Sequence, residues 1–152
     1  MTITTRLCRS NKIGSKFIQA FTSGEWSHCI IEVNGNWYQA KMLHGVVCTN
    51  KEEEAIKGQD VWEDRIIECT EEEFFKAEEF LKAQVGKPYD WGGAKMLPFI
   101  KSEGWQKDNK WFCSELVYAT YIVMGFQPFI EKYAKHISPQ HLAMINYMYR
   151  KI

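Results

Sequence analysis

The dipeptide Asn34-Gly35 narrows what this chain can become more than any other stretch. It separates two runs, Trp26-Ser-His-Cys-Ile-Ile-Glu-Val33 and Trp37-Tyr-Gln-Ala-Lys-Met42, each rich in branched and aromatic side chains. Asn and Gly tolerate the positive φ that a tight hairpin demands, so the two runs are expected to pair as antiparallel strands. Residues 2 to 8 alternate weakly and predict a short strand before them. Gly45-Val-Val-Cys48 and residues 61 to 69, with Trp62, Ile66 and Ile67, predict two more after them. Strands that follow one another so closely imply an antiparallel sheet.

Helical spacing takes over elsewhere. Ser15 to Thr22 places Phe17, Ile18 and Phe21 on one face. Thr70-Glu-Glu-Glu73 has the form of a capping box, after which Phe74, Ala77, Phe80, Leu81 and Val85 recur until Gly86, with Pro88 beyond. Leu116, Val117, Thr120, Tyr121 and Met124 recur before Gly125, which stands where a C-terminal cap belongs. Ser138-Pro139 predicts the start of a last helix carrying Leu142, Ile145 and Met148. The acidic, lysine-bearing segment 50 to 60 reads as a solvated loop. Residues 87 to 111, with Tyr89, Trp91, Pro98, Phe99 and Trp105, read as a structured lid or cleft wall. The expectation is one α+β domain over residues 1 to 152, an antiparallel sheet packed against helices.

Composition removes several partner classes. Lysine plus arginine and aspartate plus glutamate both total 19, so no global field favours nucleic acid or an anionic membrane. No nucleic-acid partner is expected. The longest apolar run, Leu116 to Phe126, is too short to span a bilayer, and stable membrane insertion is not expected either. The start Met-Thr-Ile-Thr-Thr-Arg lacks the pattern of a signal peptide. Five cysteines, an odd number without a Cys-x-x-Cys pair, argue against a disulfide framework and against zinc. A reducing, cytoplasmic setting with neither metal nor other cofactor is the simplest expectation.

One cysteine is placed differently from the rest. Cys113 falls in the first turn of the apolar helix, where unpaired backbone N–H groups favour thiolate over thiol and are able to receive an oxyanion. Considered alone it reads first as a small buried hydrophobe. Acyl transfer by a thiolate also needs an imidazole and a polar group that orients it. Of four histidines, only His28 opens a well-formed strand; its neighbour Cys29 should point to the opposite face. Glu32, four residues along the same strand, is too far to touch it. Gln39 approaches from across the hairpin, and His44 is the alternative third member.

The runs Thr22-Ser-Gly-Glu-Trp-Ser-His28, Trp37-Tyr-Gln-Ala40, Gly86-Lys-Pro-Tyr-Asp90 and Phe112-Cys-Ser-Glu-Leu-Val117 resemble landmarks of the circularly permuted NlpC-type papain-like family, a branch of the cell-wall-hydrolase superfamily. The resemblance implies a permuted papain-like fold in which the histidine strand precedes the cysteine helix. It makes Cys113 the nucleophile, His28 the general base and then acid, and Gln39 the orienting residue. Position 39 departs from the pattern, because many relatives carry Glu or His there. Tyr89 resembles the family tyrosine that holds substrate or the oxyanion, and Ser114 is a second candidate for that task. Trp26, Trp91 and Trp111 are candidate cleft walls.

The implied activity is hydrolysis through a thioester, with an amide bond of a peptide or cell-wall fragment as target. Two alternatives stand beside it. The branch also resembles the lecithin retinol acyltransferase group, which implies a lipid ester or thioester acyl substrate. A catalytically silent module that binds a ligand or protein through the same cleft is the other.

Overall fold

A computed structural model describes residues 1 to 90, 109 to 129 and 137 to 145, the side chains of Gly14, Phe17, Ala20, Phe21 and Thr22 excepted. The described elements are β1 (Thr2–Arg9), α1 (Ile13–Thr22), β2 (His28–Val33), β3 (Asn36–Lys41), β4 (Gly45–Thr49), α2 (Glu52–Ala55), β5 (Val61–Glu68), α3 (Glu71–Gln84), α4 (Cys113–Val123) and α5 (Pro139–Ala143). The five strands form one antiparallel sheet in the order β4-β3-β2-β1-β5. The first strand is therefore not an edge: it runs inside the sheet between β2 and β5.

The hairpin forms as its sequence demands. Asn34 and Gly35 adopt φ of +55° and +73°, the two positive values of a primed turn, and β3 doubles back on β2. Pairing between these strands is short, covering Val33↔Asn36, Glu32↔Trp37 and Ile31↔Tyr38. On its other edge β2 stays paired with β1 as far as Cys8↔His28. The His28 end of β2 is thus held on one side and released on the other.

Alternation along the strands divides the sheet into two faces. Ile3, Leu7, Cys29, Ile31, Val33, Tyr38 and Ala40 turn into the main core, where α3 and α4 cover them. Cys8, Ile30 and Trp37 turn the other way and close over Ala55 of α2. On that second face the buried Arg6 fork grips both Asp64 oxygens at 2.6 and 2.7 Å and Glu52 at 2.6 Å, with its guanidinium 4.4 Å from the Trp37 ring centre. Segment 50 to 60 is accordingly not a simple solvated loop. It holds a one-turn helix whose Glu52 is an ion-pair partner and whose Ala55 is buried.

The Thr70 capping box is complete. Glu73 N–H donates to Thr70 Oγ1 at 3.2 Å and Thr70 N–H to Glu73 Oε2 at 2.8 Å. Phe74, Ala77 and Leu81 face the core, whereas Val85, expected on that face, caps the helix and is exposed. Glu78 accepts from Asn34 Nδ2 at 2.9 Å and ties α3 to the hairpin.

Helix α4 is buried on nearly every side, as befits a central helix. Its end is a Schellman cap, with Gly125 at φ +91° and bonds from Gly125 N–H to Ile122 O and from Phe126 N–H to Tyr121 O, both 2.9 Å. The last helix is shorter than its periodicity predicts, ending at Ala143, so Ile145 packs from beyond it. Met148, the Phe17 and Phe21 side chains, and residues 91 to 108, with Trp91, Pro98, Phe99 and Trp105, lie outside the described residues. Among the described residues no helix is long and apolar enough to cross a membrane.

Gly45, at φ +69°, brings β4 against the segment that carries Tyr89: Val46 N–H donates to Lys87 O at 2.8 Å, and a Cβ at Gly45 would collide with that same carbonyl. We expect Gly45→Ala to lower the free energy of unfolding by about 3 kcal/mol. Gly35→Ala, with a similar φ but open space around it, should cost about 1 kcal/mol. Urea denaturation of both variants measures the difference.

Candidate active site

Three elements converge at the released end of β2. Phe112, in extended conformation, caps α4 and delivers Cys113 as its first residue. The Phe112 N–H donates to Glu115 Oε2 at 3.1 Å, which fixes the entry to the helix. His28 is the first residue of β2, and Gln39 lies on β3 just past the last paired residue, Tyr38. The β2–β3 ladder stops there, leaving His28, Cys29 and Ile30 of β2 paired on the β1 side alone.

The polar chain through the site has a definite direction. Gln39 Nε2 donates to Ala55 O at 3.0 Å, which settles which end of the amide is nitrogen. Its Oε1 faces His28 Nε2 at 2.9 Å and must accept, so Nε2 carries a proton. Nδ1 is the ring nitrogen that Gln39 leaves to Cys113, whose charge acts on the imidazole. Neutral His28 is thereby held in the tautomer whose lone pair faces the sulfur.

Charge follows this arrangement. Burial pushes the Cys113 thiol up, but hydrogen bonds from Cys29 and the charge and hydrogen bond of His28 outweigh it, and the thiol lies well below its ordinary value. Burial lowers His28 while the Cys113 charge and the bonds to Cys113 and Gln39 raise it, leaving the imidazole above its ordinary value. Both shifts favour a thiolate beside an imidazolium. Glu115, one turn into the same helix, is raised to about 7, by burial first, against the Phe112 N–H bond, with Asp90 and Cys113 adding to the rise.

The remaining sequence candidates occupy varied positions. Tyr89 is buried against Phe112, ring centres 5.8 Å apart, and its hydroxyl is pushed up by burial and then by the Cys113 charge. Ser114 is fully buried and its hydroxyl donates to Ile137 O at 2.5 Å, so the side chain anchors α4 instead of facing a substrate. Trp26 and Trp111 are core residues more than cleft walls. Trp111 Nε1 donates to Gln84 Oε1 at 3.2 Å and its ring meets Phe80 edge-on. Trp91 lies outside the described residues, as does His136. His44 is exposed in the β3–β4 turn, and it is Gln39 that holds His28. Glu32 accepts from Gly35 N–H, away from the histidine. His141 caps α5 through Ser138.

Two participants were not legible in the sequence. The Ala55 carbonyl belongs to the one-turn helix in a segment whose charge concealed it. Cys29 points into the main core as alternation predicts, the same core that holds Cys113, and it adds to the lowering of the Cys113 thiol. Among the described residues no group of three or more His, Cys, Asp or Glu side chains is placed to hold a metal ion.

Three of the other four thiols are shifted away from thiolate. Cys8, Cys29 and Cys48 are all pushed up, each by burial first, and Cys69 is buried with its thiol donating to Met1 O at 3.6 Å. Iodoacetamide at pH 6 is therefore expected to alkylate Cys113 first, read by mass spectrometry of its peptide. Equal or faster labelling of exposed Cys48 would contradict an activated thiolate. Neither protein-family models nor curated protein sequences return a match to this chain.

Proposed function

We propose that this protein is a cysteine hydrolase of the permuted papain-like kind, acting through a thioester acyl-enzyme on an amide bond of a peptide or cell-wall fragment. One observation carries the reading: the directed chain from the Ala55 carbonyl through Gln39 and His28 to Cys113 at a helix start. It is supported by the order of histidine strand before cysteine helix, which the resemblance requires. Core packing alone gives no reason to align a buried amide with an imidazole and then a thiolate.

In this reading the Cys113 thiolate attacks the carbonyl carbon, and the oxyanion forms over the backbone N–H groups at the start of α4, which lack intrahelical acceptors. As the C–N bond breaks, imidazolium Nδ1–H protonates the departing amine. Nδ1 then takes a proton from water, the hydroxide attacks the thioester, and Cys113 leaves as thiolate with the imidazolium restored. Gln39 keeps the ring aligned throughout through its Oε1. Being neutral, it stabilises the imidazolium less than a carboxylate would.

A second reading, an ester or thioester of a lipid acyl chain, is favoured by Met42 and Leu43. These apolar residues follow the strand that carries Gln39, and Leu43 is 84% exposed. Parallel incubation with peptidoglycan peptides and fluorogenic lipid esters, with mass spectrometry for an acyl group on Cys113, separates the two. Failure of every substrate to acylate Cys113 would leave a binding module as the better account.

Cys113→Ala is expected to abolish turnover and His28→Ala to lower it at least about a hundredfold, with thermal unfolding little changed. The pH profile follows from the signs of the two shifts. Activity rises as pH climbs through the lowered Cys113 ionisation and falls as it climbs through the raised His28 ionisation, so the plateau extends above the ordinary imidazole value of 6.5. Gln39→Glu should move the alkaline limb to higher pH, because a carboxylate favours the imidazolium. An unmoved limb would remove position 39 from the mechanism.

A further inference from the structure

β5 closes one edge of the sheet, and among the described residues no strand lies beyond it. The bonds at its end tell which of its residues look outward. The Met1 amino group donates to Cys69 O at 3.0 Å and Cys69 N–H donates back to Met1 O at 2.9 Å. The register with β1 then continues from Thr2↔Glu68 to Arg9↔Val61, so the odd-numbered residues of β5 direct their backbone groups at β1. Trp62, Asp64, Ile66 and Glu68 turn theirs to the outside. An edge of eight residues is long enough to seat another strand.

The side chains specify which strand. Trp62 and Asp64 lie on the Arg6 face, Asp64 inside the Arg6 fork and the Trp62 ring centre 5.7 Å from the guanidinium, and alternation puts Ile66 beside them. Two large apolar groups are left uncovered there, Trp62 at 44% and Ile66 at 70% exposure. On the other face Glu63 and Arg65 stand 2.7 Å apart, both partly exposed. An acid and a base one step either side of Asp64, inside an apolar pair two steps either side, make the strand complementary to its own reverse.

We propose that β5 pairs with β5 of a second copy of this chain, antiparallel about a two-fold axis at Asp64, so that one sheet runs through the dimer. In that register Trp62 opposes the partner's Ile66, Glu63 the partner's Arg65 and Val61 the partner's Ile67, each pair occurring twice by symmetry. The outward N–H and C=O groups of Trp62, Asp64 and Ile66 then meet their counterparts directly. Acids also meet, and both kinds are already engaged: each Asp64 gives both oxygens to Arg6 at 2.6 and 2.7 Å, and Asp60, which opposes the partner's Glu68, accepts from Asn11 N–H at 2.6 Å. Neighbouring registers are worse. Centring on Arg65 sets the two arginines together and Trp62 against Glu68, while centring on Glu63 sets two glutamates together and Trp62 against Asp64. Charges in the middle of an edge strand repel most intruding strands, and here they admit a copy of themselves in one alignment. Nothing in this pairing involves Cys113.

The test is the mass in solution by sedimentation equilibrium up to about 100 μM, for the wild type, Ile66→Pro, Arg65→Glu, Glu63→Arg and the double exchange Glu63→Arg with Arg65→Glu. The wild type is expected at twice the chain mass. Proline at 66 removes an outward N–H that β1 does not use, and each single reversal opposes like charges, so all three should weaken the dimer at least about tenfold. The double exchange should restore it. A wild type at single mass throughout, a doubled mass in every variant, or no recovery in the double exchange would overturn the proposal. If thermal unfolding shows that Ile66→Pro does not fold, the charge reversals decide. Amide hydrogen exchange at Trp62, Asp64 and Ile66 is expected to be slow in the dimer and fast in Arg65→Glu; slow exchange in a wild type of single mass would assign the edge to another segment of the chain and overturn it equally.

Discussion

The orientation of one amide governs the site. Gln39 donates to a backbone carbonyl on one side and accepts from an imidazole on the other, and its two ends cannot be exchanged without losing both bonds. A buried amide with each end satisfied is costly to rotate, because turning it leaves donors facing donors. From this follow the protonated Nε2, the Nδ1 lone pair toward the sulfur, and the capacity of that nitrogen to exchange a proton with Cys113. The arrangement uses a neutral residue where a carboxylate would add charge, so Gln39 contributes more to alignment than to electrostatic stabilisation.

The fold makes room for this by ending a strand pair early. β2 is paired along its length with β1, which keeps His28 and Cys29 from moving, while β3 leaves it after Ile31. Helix α4 brings the sulfur to the resulting opening and is itself held by burial on most of its surface, by its Schellman cap and by the Ser114 hydroxyl on Ile137. Cys113 thus sits on a largely buried helix and His28 on an interior strand. Rigid placement of both is what acyl transfer needs, since small misalignments of reacting groups cost large factors in rate.

Much of this was readable from residues whose chemistry acts locally. Asn34-Gly35 gave the hairpin because only a few side chains accept its backbone angles; Thr70 and Glu73 gave a helix start because their bonds close within three residues. Cys113 at a helix start and Gln39 across from His28 were legible for the same reason. What escaped depends on partners far away in sequence. Glu52 looked like one more solvated acid until Arg6, 46 residues earlier, accounted for it. Cys29 followed the alternation rule into the core that also holds Cys113, and the early end of the β2–β3 ladder beside it has no sequence signature. Ser114 follows Cys113 in the chain but turns to the distant backbone carbonyl of Ile137.

The Arg6 clamp has a reach that its position conceals. It lies on the face of the sheet opposite α4, joining β1, β5 and α2 through three charges and two indole rings. The helix it anchors at Glu52 supplies, three residues on, the carbonyl that fixes the Gln39 amide. Through that helix the Arg6 cation helps decide which nitrogen of His28 holds its hydrogen. In this architecture the tautomer of His28 depends on the second face of the sheet, and a change to the charges there would reach the imidazole proton without altering His28, Gln39 or Cys113.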